Sequence, residues 1–143
     1  MEIISTNAVA MTQLWINSAK LSRKIGAALG AVHGIGYTEY MVLQHLMETE
    51  HQTMRRIDLA EVLGLSASGV TRLLKPMEKI GLVEKQNNPR DARVSLVKVS
   101  DAGRVVFKDA TVTANAKIEH FFQHISPKDS AQLGNILNQL RGA

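Results

Sequence analysis

The sequence predicts a mainly α-helical chain that carries one small β-hairpin near its centre. Apolar residues recur at helical spacing over most of the 143 residues, and strand-like residues concentrate between positions 82 and 99. The apolar fraction of 45% and the charged fraction of 21% are those of an ordinary folded protein. These observations favour a single domain that spans residues 1–143.

The first third of the chain predicts two helices. After Ser5-Thr6-Asn7, whose side chains can cap a helix, apolar residues keep a helical period to about Ala31. A second helix is expected from about Tyr37 to Glu48, and a polar loop from Thr49 to Thr53 follows it.

The last third of the chain predicts two more helices. Ser100 is typical of an N-cap for a long helix that continues to about His124, and Ser126 followed by Pro127 signals a new helix start. The terminal helices carry long apolar faces, but the central unit between them has only about 50 residues. We therefore expect residues 1–35 and 101–143 to bury these faces against a second copy, in a homodimer.

The segment from Arg56 to Lys75 has the pattern of two short helices joined by a tight turn. Ile57 to Leu63 predict the first helix, Gly64 supplies the positive φ that the turn requires, and Leu65 fills the angle between the helices. Ser66 is expected to cap the second helix. This is the helix-turn-helix arrangement. The inward-facing residues of the second helix are Val70, Leu73 and Leu74.

The outward face of the second helix combines small and basic residues. Small residues let a helix backbone enter the major groove of DNA, where an arginine can bond guanine in bidentate fashion. Pro76 is expected to kink this helix, with Met77, Ile80 and Gly81 still on the core side. The predicted DNA-binding residues on this face are Ser66, Ala67, Ser68, Thr71, Arg72 and Lys75.

A β-hairpin follows the second helix. Leu82 to Lys85 and Val94 to Val99 predict its strands, with Asn87 to Asp91 as the loop. Arg90 and Arg93 are long enough to reach phosphates or the minor groove, and Asp91 is expected to pair with an arginine and hold it in one geometry. A helix-turn-helix followed by a hairpin is a winged helix, which we assign to residues 54–100.

All of the net charge of +4 lies in this central segment. From Met54 to Arg104 there are ten basic and six acidic residues, whereas the remainder of the chain has seven of each. This excess favours nucleic acid as the partner. Arg56, Lys79 and Lys85 are therefore further candidates for contacts with DNA phosphates.

Other classes of protein are disfavoured by the residue types that are missing. The chain has no cysteine, which excludes disulfides, thiolate metal sites and cysteine nucleophiles. No apolar run approaches the roughly 18 residues that span a bilayer, and the first residues lack the pattern of a signal peptide. None of the five histidines stands in a catalytic motif. We expect a cytoplasmic, nucleoid-associated protein that is not an enzyme and has no cofactor.

Two alternatives to a plain DNA-binding regulator stay open. His120 and His124 have the i,i+4 spacing that can chelate zinc from one helix face, which would suit a metal-responsive regulator. The winged helix can also serve as a protein-interaction module that does not bind DNA.

Several stretches of the chain resemble the MarR family of bacterial transcription regulators. They are Gly81-Leu82-Val83-Glu84, Asp91-Ala92-Arg93, the run from Leu96 to Gly103, and the stretch from Ser66 to Leu74. The resemblance implies a homodimer with interlocked terminal helices. It also implies that the wing residue Arg93 enters the minor groove and that Asp91 steadies the wing.

The mechanism expected from this resemblance is that of a repressor. Two recognition helices of the dimer would read a pseudo-palindromic operator in double-stranded DNA, about 34 Å apart. A small aromatic or phenolic effector would release the protein from the operator. Trp15, Tyr37, Tyr40 and Phe107 are candidates to line its pocket, and they suit a core equally well.

Overall fold

The computed structural model describes residues 3–142, so Met1, Glu2 and Ala143 of the predicted domain lie outside the described residues. Over this range the chain forms six α-helices and one three-stranded antiparallel sheet with the order β1-β3-β2. None of these helices is both long enough and apolar enough to cross a membrane. The helices are α1 (Thr6–His33), α2 (Tyr37–Glu48), α3 (Arg56–Leu63), α4 (Ala67–Lys79), α5 (Asp101–Phe121) and α6 (Pro127–Arg141). The strands are β1 (Thr53–Arg55), β2 (Val83–Asn88) and β3 (Asp91–Val99).

The helices begin where their capping residues predict. The hydroxyls of Ser5, Ser100 and Ser126 each accept a hydrogen bond from the backbone N–H three residues later, at 3.0–3.1 Å. Each bond satisfies one of the N–H groups that the first helical turn leaves without a partner. The predicted starts of α1, α5 and α6 are therefore confirmed.

The long helix that begins after Ser100 ends earlier than the sequence predicts. α5 stops at Phe121, and a turn in which the Ile125 N–H bonds the Phe122 carbonyl leads into α6. The residue before a proline is disfavoured in helical conformation, so the chain must leave the helix ahead of Pro127. The prediction that the helix continues to His124 is wrong.

The sheet is larger than the predicted hairpin. β2 and β3 extend until only Pro89 and Arg90 separate them, so the predicted loop from Asn87 to Asp91 is wrong. Two residues are the commonest length of a hairpin connection, and the polar residues on either side pair as strand ends. β1 also joins the sheet, with Met54 opposite Val97. At three residues β1 is too short for a periodic pattern to identify it.

α4 continues without interruption through Pro76 to Lys79, so the expected kink does not break the helix. Pro76 lies exposed in the last turn of α4. Met77 is fully buried as predicted, but Ile80 is 60% exposed and Gly81 is exposed too, so their predicted place on the core side is wrong. The helix ends at Lys79 and the chain turns at Gly81 with a φ of 81°, which takes Ile80 off the inward face.

One apolar core holds the central elements together. It is built from inward side chains of α1, α2, α3, α4, α5 and the sheet. The inward residues predicted for α4 take part in it, with Val70 and Leu74 buried and Leu73 packed against them. α6 contributes no buried residue. The large side chains that are fully buried in this core include Leu29, Leu43, Leu46, Leu59, Leu74, Met77 and Val97.

The beginning of α5 meets the winged helix at a close backbone contact. Ser100 donates its hydroxyl hydrogen to the Gly81 carbonyl and its backbone N–H to the Leu82 carbonyl. Gly103 is buried against the same Leu82 carbonyl, and a Cβ atom at position 103 would occupy the space of that oxygen. This contact fixes α5 relative to the turn that ends α4 and begins the hairpin.

The close contact predicts that Gly103→Ala destabilises the protein. The added methyl overlaps backbone, which cannot rotate away, so we expect a loss of about 1–3 kcal/mol or more in the free energy of unfolding. Urea denaturation at fixed protein concentration measures it. Gly30→Ala is the control: its Cβ would lie 3.9 Å from the nearest atom, and alanine raises helix propensity by up to about 1 kcal/mol. Equal stabilities of the two variants would contradict the account.

Candidate nucleic-acid interface

The turn between α3 and α4 has the geometry that the sequence predicts. Gly64 adopts a φ of 65°, a left-handed conformation that glycine accepts without a steric cost. The Leu65 N–H bonds the Ala60 carbonyl at 2.9 Å, which closes the end of α3. α4 begins directly after this turn, so its orientation relative to α3 is set by the turn and by the core below it.

α4 separates an inward apolar side from an outward polar side. Val70, Leu74 and Met77 are buried, and the Ser66 hydroxyl caps the helix by accepting from the Gly69 N–H at 3.1 Å. The six predicted DNA-binding residues of this helix are all exposed on the opposite side, and we call them the reading face. They are Ser66, Ala67, Ser68, Thr71, Arg72 and Lys75.

Arg93 projects from the wing, and Asp91 binds both its backbone and its guanidinium. The Asp91 carboxylate accepts hydrogen bonds from the Arg93 backbone N–H at 3.0 Å and from its Nε at 3.1 Å. The Arg93 side chain is nevertheless 91% exposed. These bonds from Arg93, first from the side chain and then from the backbone, lower the pKa of Asp91. The predicted pairing of Asp91 with an arginine is therefore present.

The tip of the wing carries the second predicted arginine. Pro89 and Arg90 connect the two strands, and the Asn88 side-chain carbonyl accepts from the Arg90 N–H at 2.9 Å. The strand register shifts between Asn87 and Asn88. Arg90 is thus placed on an exposed, two-residue tip with a locally fixed backbone.

A groove between α4 and the hairpin brings together predicted residues that are distant in sequence. It has a volume of about 470 Å³. Thr71 and Lys75 of the reading face share it with Arg56 and Lys85, which the sequence proposes for phosphate contacts. Lys79, Arg90 and Arg93 do not line it. The predicted residues therefore lie on the reading face, in this groove and on the wing, and Lys79 lies apart from them at the end of α4.

Two ion pairs at this interface are absent from the sequence-based predictions, although the second has the i,i+3 spacing of a local pair. Arg56 bonds Glu78 at 3.1 Å and links the start of α3 to the end of α4, 22 positions away. Arg55 makes two bonds to the Asp58 carboxylate, at 2.8 and 3.0 Å, and these lower the pKa of Asp58. Arg56 thus has a structural partner in addition to its predicted role. Within residues 3–142, the following cations of the interface have no ion pair: Arg72, Lys75, Lys79, Lys85 and Arg90.

Three of the four aromatic candidates for an effector pocket pack against one another. The Tyr40 ring stacks on Phe107 with centroids 5.3 Å apart and on Tyr37 at 6.1 Å. The Tyr40 hydroxyl lies 3.0 Å from the Thr111 hydroxyl on α5. Trp15 is separate from this cluster and 69% exposed. Burial raises the pKa of Tyr37, and the neighbouring Tyr40 adds to this effect.

The histidine pair does not share a helix. His120 lies in the last turn of α5, beside the Phe121 ring, and His124 lies in the turn after the helix. The i,i+4 face that would chelate a metal from one helix is therefore not formed. In the part of the chain that the structure describes, no three His, Asp or Glu side chains are grouped so that they can hold a metal ion.

The Asp91–Arg93 pairing makes a prediction about titration. We expect the pKa of Asp91 to lie below the ordinary value of about 3.9, and to rise towards it in Arg93→Ala. Because the pKa is lowered in the folded state, the pair persists as the pH falls and is lost only at the lowered pKa. An NMR titration of the carboxyl groups measures this. Arg55→Ala is the control, since it should raise the pKa of Asp58 and leave that of Asp91 unchanged. An ordinary pKa for Asp91 in the unaltered protein would contradict the pairing.

The central part of the chain matches a known family. Residues 35–95 match the MarR family model, a stretch that contains the helix-turn-helix and most of the hairpin. Among curated proteins, the HTH-type transcriptional regulator YdgJ of Bacillus subtilis is 24% identical over 121 residues. The aligned part is 85% of this chain and 73% of that protein.

Solved structures of MarR family proteins share the whole fold. Sco3205, a MarR family transcriptional regulator from Streptomyces coelicolor in complex with DNA, gives a TM-score of 0.85 at 20% identity, over 98% of this chain and 89% of that one. CouR from Rhodococcus jostii RHA1, bound to p-coumaroyl-CoA, gives a TM-score of 0.81 at 22% identity, over 90% and 88%. The predicted winged-helix fold and the predicted resemblance are confirmed. Residues 35–95 of this chain are similar to the MarR family in sequence, and the chain shares the fold of solved MarR family transcriptional regulators.

Proposed function

We propose that this protein is a homodimeric repressor that binds a specific sequence in double-stranded DNA. The observation that carries the proposal is the reading face: exposed cations without ion pairs stand on a capped helix whose other side is buried in the core. The same fold occurs in Sco3205, whose structure is that of a complex with DNA.

In the proposed complex α4 enters the major groove. The small residues at its start let the backbone approach the base edges, and Arg72 bonds a guanine in bidentate fashion. Arg93 enters the adjacent minor groove, with its guanidinium oriented by Asp91. Each half-site of the operator is therefore read from both grooves.

Phosphate contacts come from the cations around the reading face. Lys85 and Arg56 line the groove beside α4, Arg90 stands on the wing tip, and Lys79 lies at the end of α4. Neutralising phosphates releases counterions, so these residues set the dependence of affinity on salt. Arg56 contributes while its partner Glu78 holds it in place.

The exposed apolar faces of the terminal helices support a second copy of the chain. All four large apolar residues of α6 are exposed, and so are Val9, Met11 and Trp15 of α1. A soluble protein rarely exposes apolar faces of this extent without a partner. Residues 1–35 and 101–143 form the proposed dimerisation region, and residues 54–100 form the proposed DNA-binding unit. The apolar residues of α6 are Leu133, Ile136, Leu137 and Leu140.

The proposed regulation is release by a small aromatic or phenolic molecule. A bound dimer blocks other proteins from the same DNA, which is the action of a repressor. The relative CouR is described with p-coumaroyl-CoA, an aromatic ligand, bound to the same fold. Such a regulator acts in the cytoplasm, on the nucleoid.

The major-groove role predicts different effects for two basic residues. Arg72→Ala should weaken binding by about 1–3 kcal/mol and relax specificity at one base position. Lys85→Ala should weaken binding to all sequences alike. It should also reduce, by about one, the slope of the logarithm of the binding constant against the logarithm of the salt concentration. Anisotropy titrations with a selected duplex and its single-base variants, at several salt concentrations, measure both effects.

The matched control is Lys128→Ala, because this cation lies on α6, outside the winged helix, and should change neither quantity. The sequence specificity is tested by selection from a random pool of duplexes. If the protein enriches no palindrome, the result contradicts the proposed regulator and favours a protein-interaction module. Unchanged affinity of Arg93→Ala would contradict only the role of the wing.

The dimer proposal predicts that Leu137→Glu gives monomers. A carboxylate on the apolar face of α6 is costly to bury, so we expect sedimentation to change from the mass of two chains to that of one. Ile80→Glu is the control, because Ile80 is also a large, exposed apolar residue but lies on the winged helix. If Leu137→Glu sediments like the unaltered protein, α6 is not the interface.

A further inference from the structure

Resting on the proposed function, we propose that the protein recognises thymine methyl groups through an apolar cleft beside the reading face. The cleft lies between α3 and the beginning of α4 and has a volume of about 500 Å³. Ile57 and Leu65 line it together with Ala67 and Thr71, which belong to the reading face. The cleft is thus continuous with the surface that faces the bases.

Ile57 is the first observation in favour of this cleft. Its side chain is 69% exposed, although it stands next to Arg55 and Arg56 in the basic segment. Its neighbours on α3, Leu59 and Ala60, are buried and provide the contact of this helix with the core. Because Arg55 and Arg56 are paired with Asp58 and Glu78, the exposed group that Ile57 offers here is apolar, and it suits an apolar group of the partner. In the major groove of DNA that group is the C5-methyl of thymine.

The hydroxyl groups of the reading face are the second observation. Thr71 Oγ1 donates to the Ala67 carbonyl at 3.1 Å, which commits its proton to the helix backbone. Ser66 Oγ accepts from a backbone N–H and lies 3.1 Å from Ser68 Oγ, so these hydroxyls are engaged as well. The free group of Thr71 is therefore its methyl. An exposed methyl here can make the apolar contact that distinguishes thymine from cytosine.

Charge places DNA at this cleft. Arg72 and Lys75 share the reading face with Ala67 and Thr71, and neither has an ion pair among residues 3–142. In the proposed complex these two cations bind phosphates and guanine edges. Because the cleft lies beside them, the neighbouring base edges then face the cleft. We expect each half-site to contain a thymine at this place. Burial of one methyl gives about a four-fold gain in affinity.

The experiment replaces thymine by deoxyuridine, which removes only the C5-methyl group. The probe is the duplex enriched by the protein from a random pool, with each thymine replaced in turn. The unaltered protein should bind about four-fold more weakly when one particular thymine of a half-site is replaced. Replacement at thymines outside the half-sites should have no effect.

Two variants of Thr71 assign the effect to its methyl. Thr71→Ser keeps the hydroxyl and removes the methyl, so its affinity should no longer depend on the thymine methyl. Thr71→Val keeps a methyl and removes the hydroxyl, so the four-fold effect should remain. Ile57→Ala should reduce the effect. Val62→Ala is the control and should retain it in full, since Val62 is exposed on α3 but does not line the cleft.

The outcomes separate this inference from the proposed function. Sequence-specific binding that is unchanged by deoxyuridine at every position overturns the methyl contact and leaves the regulator standing. Selected half-sites that contain no thymine would also overturn the methyl contact and leave the proposed regulator standing. A pool from which no sequence is enriched overturns both the methyl contact and the proposed function.

Discussion

The structure depends on the close contact between the beginning of α5 and the turn that follows α4. Gly103 lies against the Leu82 carbonyl without room for a side chain, and Ser100 bonds the carbonyls of Gly81 and Leu82 in the turn. α5 in turn packs along α1 and α2. α4, the hairpin and the long helices therefore keep one relative orientation, and the proposed role of α4 in reading bases needs such a rigid support.

The distribution of apolar surface and charge follows from this arrangement. The core fills the space between α5, the first helices and the winged helix, and it leaves the apolar faces at both ends of the chain exposed. The winged helix carries the whole net positive charge on its outer surfaces. One copy of the chain thus presents an apolar face at its terminal helices and a cationic face at its centre. The first face suits an apolar partner surface, and the second suits an anionic partner.

Much of the fold could be predicted because its determinants are local. The bounds of α2, the Gly64 turn, the serine caps and the Asp91–Arg93 pair each depend on residues a few positions apart. Features fixed by tertiary contacts could not be predicted. β1 exists only because β3 pairs with it, the Arg56–Glu78 bond joins two helices, and the exposure of Ile57 depends on how α4 lies across α3. The reading-face residues followed from helical periodicity, but the engagement of their hydroxyls did not.

Two copies of the chain are proposed to present two reading faces to one DNA duplex. The mass of the complex, combined with a footprint on the selected operator, tests this arrangement. The proposed dimer gives two chains per duplex and protection of two successive major grooves, about 34 Å apart, with minor-groove protection on the flanks. One chain per duplex, or protection of a single major groove, would contradict it.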